Sequence, residues 1–216
     1  WQADDIYTAY ELSIGHDRGT LTDPLAAAGD LLDGDLAVGV REVVGWMLVE
    51  NGDLTRARQV VGPTGSAPDL PADWLWAESV TAAAHVRAAL GDLPACAALR
   101  QRLAPMAGRL DVTAGPFLGG IDLALARLAD ALGDGPAARR HAADAVAMLE
   151  GFGAGPALAR ALLCQGQLLA ASDDVRDRAA ADTVLLRAGR IADEVGLAPV
   201  RTALDRMQAA SKVATV

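Results

Sequence analysis

Apolar residues recur along the chain at intervals of three and four. Val44 and Leu48 stand before Ala57 and Val61; Leu125, Leu128 and Leu132 stand before Ala138, Ala142, Ala145 and Leu149; Leu158, Leu162 and Leu169 continue the series. Such spacing gathers apolar side chains on one face of a helix. Between the paired segments lie Gly-Asp steps, at Gly52-Asp53, Gly91-Asp92 and Gly133-Asp134. A glycine just past a helix supplies the left-handed conformation that closes it, and an aspartate after it accepts from the first amides of the next helix. Each step therefore reads as the elbow of a helical hairpin. The elbows repeat at 39 residues (Gly52 to Gly91) and 42 residues (Gly91 to Gly133), and Ser172-Asp173-Asp174 occupies the next corresponding place.

One hairpin cannot bury its own apolar face, whereas stacked hairpins can. The expected architecture is all-α: a right-handed solenoid of about five antiparallel hairpins with contacts between neighbours only. The units fall at 1–33, the least regular, then 34–67, 68–110, 111–154 and 155–197, with a terminal helix and tail at 198–216. In the first unit Ile6, Tyr7 and Tyr10 precede Gly15, and Asp23-Pro24-Leu25 opens the second helix. In the fifth, an insertion is expected to delay the return helix to about Ala180; the terminal helix is placed near Ala198 to Ala210.

The hairpins resemble tetratricopeptide repeats. In that family a small residue in the first helix lets the second approach, an elbow follows seven residues later, and an alanine five residues further completes the contact. Gly45, Gly52 and Ala57 match, as do Ala126, Gly133 and Ala138; Ala84, Gly91 and Cys96 match with cysteine for the last alanine. Gly166 fits the first place of a further unit. The period near forty and stretches such as Ala124-Leu125-Ala126-Arg127-Leu128-Ala129 are similar to the C-terminal repeats of large bacterial ATP-dependent transcription regulators, the maltose-regulator-like LuxR family and its relatives. The resemblance implies a non-catalytic sensor or scaffold module of a cytoplasmic regulator, with neighbouring domains of the same chain as partners. The alternative it leaves open is a free-standing adaptor between proteins. Neither a nucleotide-binding nor a helix-turn-helix domain is matched by these residues, so ATPase and DNA-binding activities do not carry over.

Composition narrows the chemistry. Hydrophobic residues make up 52% of the chain but aromatics only 4%, so close packing must come from Ala, Leu and Val. A net charge of −9 argues against direct contact with nucleic acid, which needs a basic face. Lys212 is the only lysine, which removes a lysine-bearing phosphate loop and an internal Schiff base. Cys96 and Cys164 lie in apolar helical stretches and read as buried thiols of a reducing compartment. No apolar run is long enough to span a bilayer, and the expected location is the cytoplasm. Because the chain opens at Trp1 within a helical pattern, it is read as a piece of a longer protein whose Trp1 packed against an upstream repeat.

Extending the repeat register along each first helix places Glu42, Trp46, Glu50, Glu78, His85, Arg127, Asp130, Arg160 and Gln167 toward the concave surface. This is the candidate ligand groove, for a peptide, a protein segment or a small-molecule inducer. The charges run from acidic to mixed and basic, which suits an elongated or zwitterionic ligand. Trp46 could offer a ligand a flat face and an N–H, or pack on the next hairpin; His85 could line the groove or simply pack. Of Trp74 and Trp76, only one can face the core. His141, after Arg139-Arg140, is expected to be solvated. The three histidines sit in separate repeats without metal-ligand spacing, and no nucleophile motif surrounds a serine or cysteine. No catalytic residue, metal site or cofactor is assigned.

Overall fold

The computed structural model describes residues 3–33, 37–111 and 117–214, which are mostly helical with no strand among them. The helices are α1 (Ala3–Arg18), α2 (Pro24–Ala28), α3 (Ala37–Asn51), α4 (Leu54–Val61), α5 (Trp76–Ala89), α6 (Leu93–Leu103), α7 (Ile121–Ala131), α8 (Gly135–Phe152), α9 (Gly155–Ala170), α10 (Val175–Val195) and α11 (Ala198–Ala214). None is long and apolar enough to cross a membrane. Trp1 lies outside the described residues.

The elbows form as their chemistry dictates. Gly52, Gly91 and Gly133 have φ of +84°, +69° and +75°, a region an L side chain rarely adopts. The following aspartates cap the next helix: Asp53 accepts from the Arg56 amide at 3.0 Å, Asp92 from Ala95 at 3.3 Å and Asp134 from Ala137 at 3.2 Å. At the fourth elbow Asp174 accepts from the Arg176 amide at 2.7 Å, and α10 begins at Val175. The expected insertion up to Ala180 is therefore absent, because the cap starts the helix at once. The terminal helix also runs further than expected, to Ala214. The first unit opens its second helix at Asp23, which accepts from the Leu25 and Ala26 amides, but Gly15 lies inside α1 rather than after it.

Small residues set the spacing within hairpins. A Cβ on Gly45 would lie 2.6 Å from Val61 Cγ1 of α4, and one on Gly166 would lie 2.5 Å from Leu185 Cδ2 of α10. Ala126 with Ala138, and Ala84 with Cys96, are fully buried at the equivalent places. Trp76 packs on the middle of the core while Trp74 is half exposed, so the pair splits as its spacing requires.

The first helices α3, α5, α7 and α9 pack side by side in chain order, each backed by its partner α4, α6, α8 or α10. The far end departs from an open array. Helix α11 packs on α9 and α10, and also on α1 and α3 at the other end of the chain. Arg206 of α11 donates to the Asn51 carbonyl at 2.7 Å, and a Cβ on Gly19 would lie 2.6 Å from that of Ala198. The expectation of contacts between neighbouring hairpins only is thereby corrected: the inner helices form a ring that α11 closes.

Candidate ligand cavity inside the helical ring

The ring encloses an open cavity of about 330 Å³. Each inner helix contributes residues one turn apart: Trp46 and Glu50 from α3, His85 and Ala89 from α5, Arg127 and Ala131 from α7, Leu163 and Gln167 from α9. Residues four apart share a helix face, which is why one register serves all four. Helix α11 completes the wall with Pro199, Val200, Ala203 and Arg206. Six of the nine sequence-assigned groove residues, Trp46, Glu50, His85, Arg127, Asp130 and Gln167, line this one space. Arg160 lines its narrow inner extension with Trp46, Glu50, His85 and Arg127.

Glu42 and Glu78 are elsewhere, which corrects their assignment to the groove. Glu42 is buried between α3 and α5, where its Oε1 accepts from Arg87 Nη2 at 2.9 Å. Burial pushes its carboxyl up to about 7, with Arg87 pulling the other way. Glu78 lines a separate apolar crevice with Ala9, Leu12 and Val43. The helical-wheel register failed there because it was carried toward the N-terminal ends of α3 and α5, where the faces turn toward neighbouring helices.

Arg160 is the hub of the cavity floor. Its Nε donates to Glu50 Oε1 at 2.9 Å and Oε2 at 3.2 Å, and its Nη2 donates to Glu50 Oε2 at 3.0 Å and Asp17 Oδ1 at 2.5 Å. The guanidinium carbon sits 4.9 Å above the Trp46 ring. His16 closes the cluster, with Nε2 donating to Glu50 Oε2 at 2.9 Å and its ring 5.2 Å from that of Trp46. Burial works against both charges, yet the partners outweigh it. Arg160 and His16 hold Glu50 well below the ordinary carboxylate range, and Glu50 and Asp17 hold Arg160 above the ordinary guanidinium range. Trp46 packs between His16 of α1 and Arg160 of α9, rather than on the next hairpin alone, and lines the cavity.

Two polar groups at the cavity remain incompletely used. Arg127 Nη1 donates to Gln167 Oε1 at 2.8 Å, and among the described residues no carboxylate pairs with it. Gln167 is in turn held by a 3.8 Å contact from its Nε2 to Met207 Sδ. His85 is only 8% exposed, and its Nε2 is buried without a hydrogen-bond partner among the described residues. Burial drives its pKa down to about 3, and the charges of Arg127 and Arg160 add to the effect against Glu50, so the ring is neutral. At the mouth stand the exposed Asp130 and Arg206, with no ion pair to either among the described residues.

Sequence reasoning missed His16, Asp17 and the α11 residues. Their signal is not local: 143 positions separate Asp17 from Arg160. His141 also differs from expectation. It is not solvated but donates from Nδ1 to the buried Asp122 Oδ1 at 2.8 Å, while Asp122 Oδ2 accepts from the Gly108 amide at 2.6 Å. The two bonds to Asp122 fasten the segment before α7 to α8, and a carboxylate oxygen of Asp144 lies within 4.8 Å of ligand atoms of both Asp122 and His141. Cys96 and Cys164 are buried free thiols, and burial raises the pKa of both, that of Cys96 to about 11. Comparison with protein-family models, curated proteins and solved structures finds no match for this chain.

Proposed function

We propose that the chain is a non-catalytic ligand-binding module built from tetratricopeptide-like repeats, the sensor part of a larger cytoplasmic signalling or transcription regulator. The observation that carries this is the cavity itself, whose walls come from five helices remote in sequence. Its volume of about 330 Å³ lies at the lower end of the range of small-molecule sites, about 300–1,000 Å³. Glu50 and Arg160 hold each other charged at the floor while burial keeps His85 neutral, a fixed arrangement that suits binding. With α11 across the groove, a small inducer fits better than a peptide. A ligand touching α11 and the inner helices together favours the closed ring, and adjoining domains would read that state.

The test is thermal unfolding of the chain against a collection of metabolites, with Ala203→Trp as the variant that fills the cavity from α11. A true ligand at a hundred times its Kd stabilises the fold by about 2.7 kcal/mol. It should shift the wild type and leave the variant unmoved; equal shifts in both would place binding elsewhere and refute the cavity reading.

One observation favours the adaptor as a second reading. Helix α1 exposes Tyr7, Tyr10 and Ile14 along one stripe, an apolar face suited to another protein. Capture of a specific protein that Tyr7→Ser/Ile14→Ser abolishes, without any metabolite response, would favour that reading.

A further inference from the structure

The charges around the cavity say what kind of ligand it takes, an inference that rests on the binding-site reading above. Arg160 is ion-paired with the carboxylates of Glu50 and Asp17, and Glu50 accepts from Arg160 and His16. Arg127 differs. It is half-buried, faces the cavity, and has one neutral amide as its partner among the described residues. A guanidinium carries five N–H donors in a planar fork, and one hydrogen bond leaves the rest of that fork open. Removing a cation from water without a counter-charge is costly unless something supplies one. The Gln167–Met207 contact fixes the side chain that orients the fork.

His85 Nε2 supplies the second point. It is buried and without a hydrogen-bond partner among the described residues, on a side chain that lines the same space from the adjoining helix. As a neutral imidazole it can donate a hydrogen bond to an anion without adding charge. Around both groups the wall is apolar, formed by Ala88, Ala131, Leu163, Val200 and Ala203. Arg127 is the inner cation with no carboxylate partner among the described residues, which suits a ligand carrying one negative charge. Asp130 at the mouth disfavours a second.

We propose that the cavity binds a small organic monocarboxylate, its carboxylate held by Arg127 with His85 Nε2 as a further donor, and its aliphatic or aromatic body against α5, α7, α9 and α11. A volume of 330 Å³ is room for about ten waters, which limits the body to a short chain or a single ring. Arg206, already held to the Asn51 carbonyl at the rim, attracts the anion on entry.

The experiment is titration calorimetry and thermal unfolding of the whole chain with hexanoate and phenylacetate, each beside its amide and beside the phosphate monoester of the matching alcohol. The acids should bind about tenfold or more tightly than the amides. Arg127→Gln should abolish that preference while its circular dichroism stays that of the wild type, and His85→Phe should weaken the acids and spare the amides. Equal binding of acid and amide, blocked by Ala203→Trp, would overturn the carboxylate assignment and keep the cavity. Tighter binding of the phosphate monoester would overturn it in favour of a dianion. If no probe binds at millimolar concentration while metabolites of other chemistry do, the ligand class is wrong; if nothing binds at all, the cavity reading falls with it.

Discussion

Replacing Arg160 with methionine tests how the ring is held. The substitution keeps the long apolar stem and removes a guanidinium whose side chain is 5% exposed. It strands Glu50, 18% exposed, and Asp17, 34% exposed, after the loss of four hydrogen bonds to their carboxylates. Breaking a buried pair by removing one partner costs about 3–5 kcal/mol. Glu50 keeps His16 and Asp17 keeps water, which puts the expected loss at the lower end, about 3 kcal/mol, with the lost stacking on Trp46 contributing about 0.5–1 kcal/mol of it. Glu50 also sets the pH dependence. In the wild type its carboxyl is held below the ordinary 4.5 against burial by Arg160 and His16, so the stability it contributes is present above 4.5 and is lost only as pH falls further. Without Arg160, burial prevails and the folded value rises. The deficit of the variant should then be largest at pH 7 and smaller at pH 5, where protonation of Glu50 relieves it. Urea unfolding followed by far-UV circular dichroism at the two pH values measures this. Adding Glu50→Gln to Arg160→Met should recover about 2 kcal/mol at pH 7, since it removes the stranded charge. A loss below about 1 kcal/mol, or additive single and double variants, would show that the cluster does not hold α1, α3 and α9 together.

Three further outcomes follow from the packing. Gly166→Ala should destabilise by about 1 kcal/mol, because the new Cβ meets Leu185 Cγ at 2.6 Å and overpacking outweighs the gain in helix propensity, whereas Gly151→Ala, with nothing within 4 Å, should stabilise slightly in the same thermal melts. Asp92 both caps α6 and accepts from the Gly65 amide at 2.8 Å, so Asp92→Ala should cost more than Asp53→Ala, about 2 against about 1 kcal/mol, and open the 62–75 segment to limited proteolysis. Burial pushes Glu42 up to about 7, so its favourable contribution is present below 4.5 and lost as pH rises through 7; Glu42→Gln keeps an acceptor for Arg87 and should remove that part of the decline in urea midpoint between pH 5 and 8.

The hairpins were legible because their signals are local. A glycine that must take positive φ, an aspartate that caps, and a small residue where two helices touch each leave a mark within a dozen positions, as Gly133, Asp134 and Ala126 show. The same register found most of the cavity wall, since residues four apart on parallel inner helices share one face. Closure by α11 was not legible. It depends on a small rotation per hairpin summed around the ring, and no single residue records a sum. For the same reason His16 and Asp17 looked like an ordinary helix end, although they meet Glu50 and Arg160. Glu42 and Glu78 were misplaced because a charged residue on an inner helix was given to the groove, when burial against an arginine or in a crevice was an equal fate.

An array with two free ends stretches and recoils like a spring, and its response to load is graded. A ring has no end to unwind. Here strain introduced at any hairpin travels round to the seam where α11 meets α1 and α3, whose described hydrogen bond is from Arg206 to the Asn51 carbonyl. The Arg160 cluster, which ties α9 to α1 and α3, shares that load, so the two ends of the ring are bound to each other twice over.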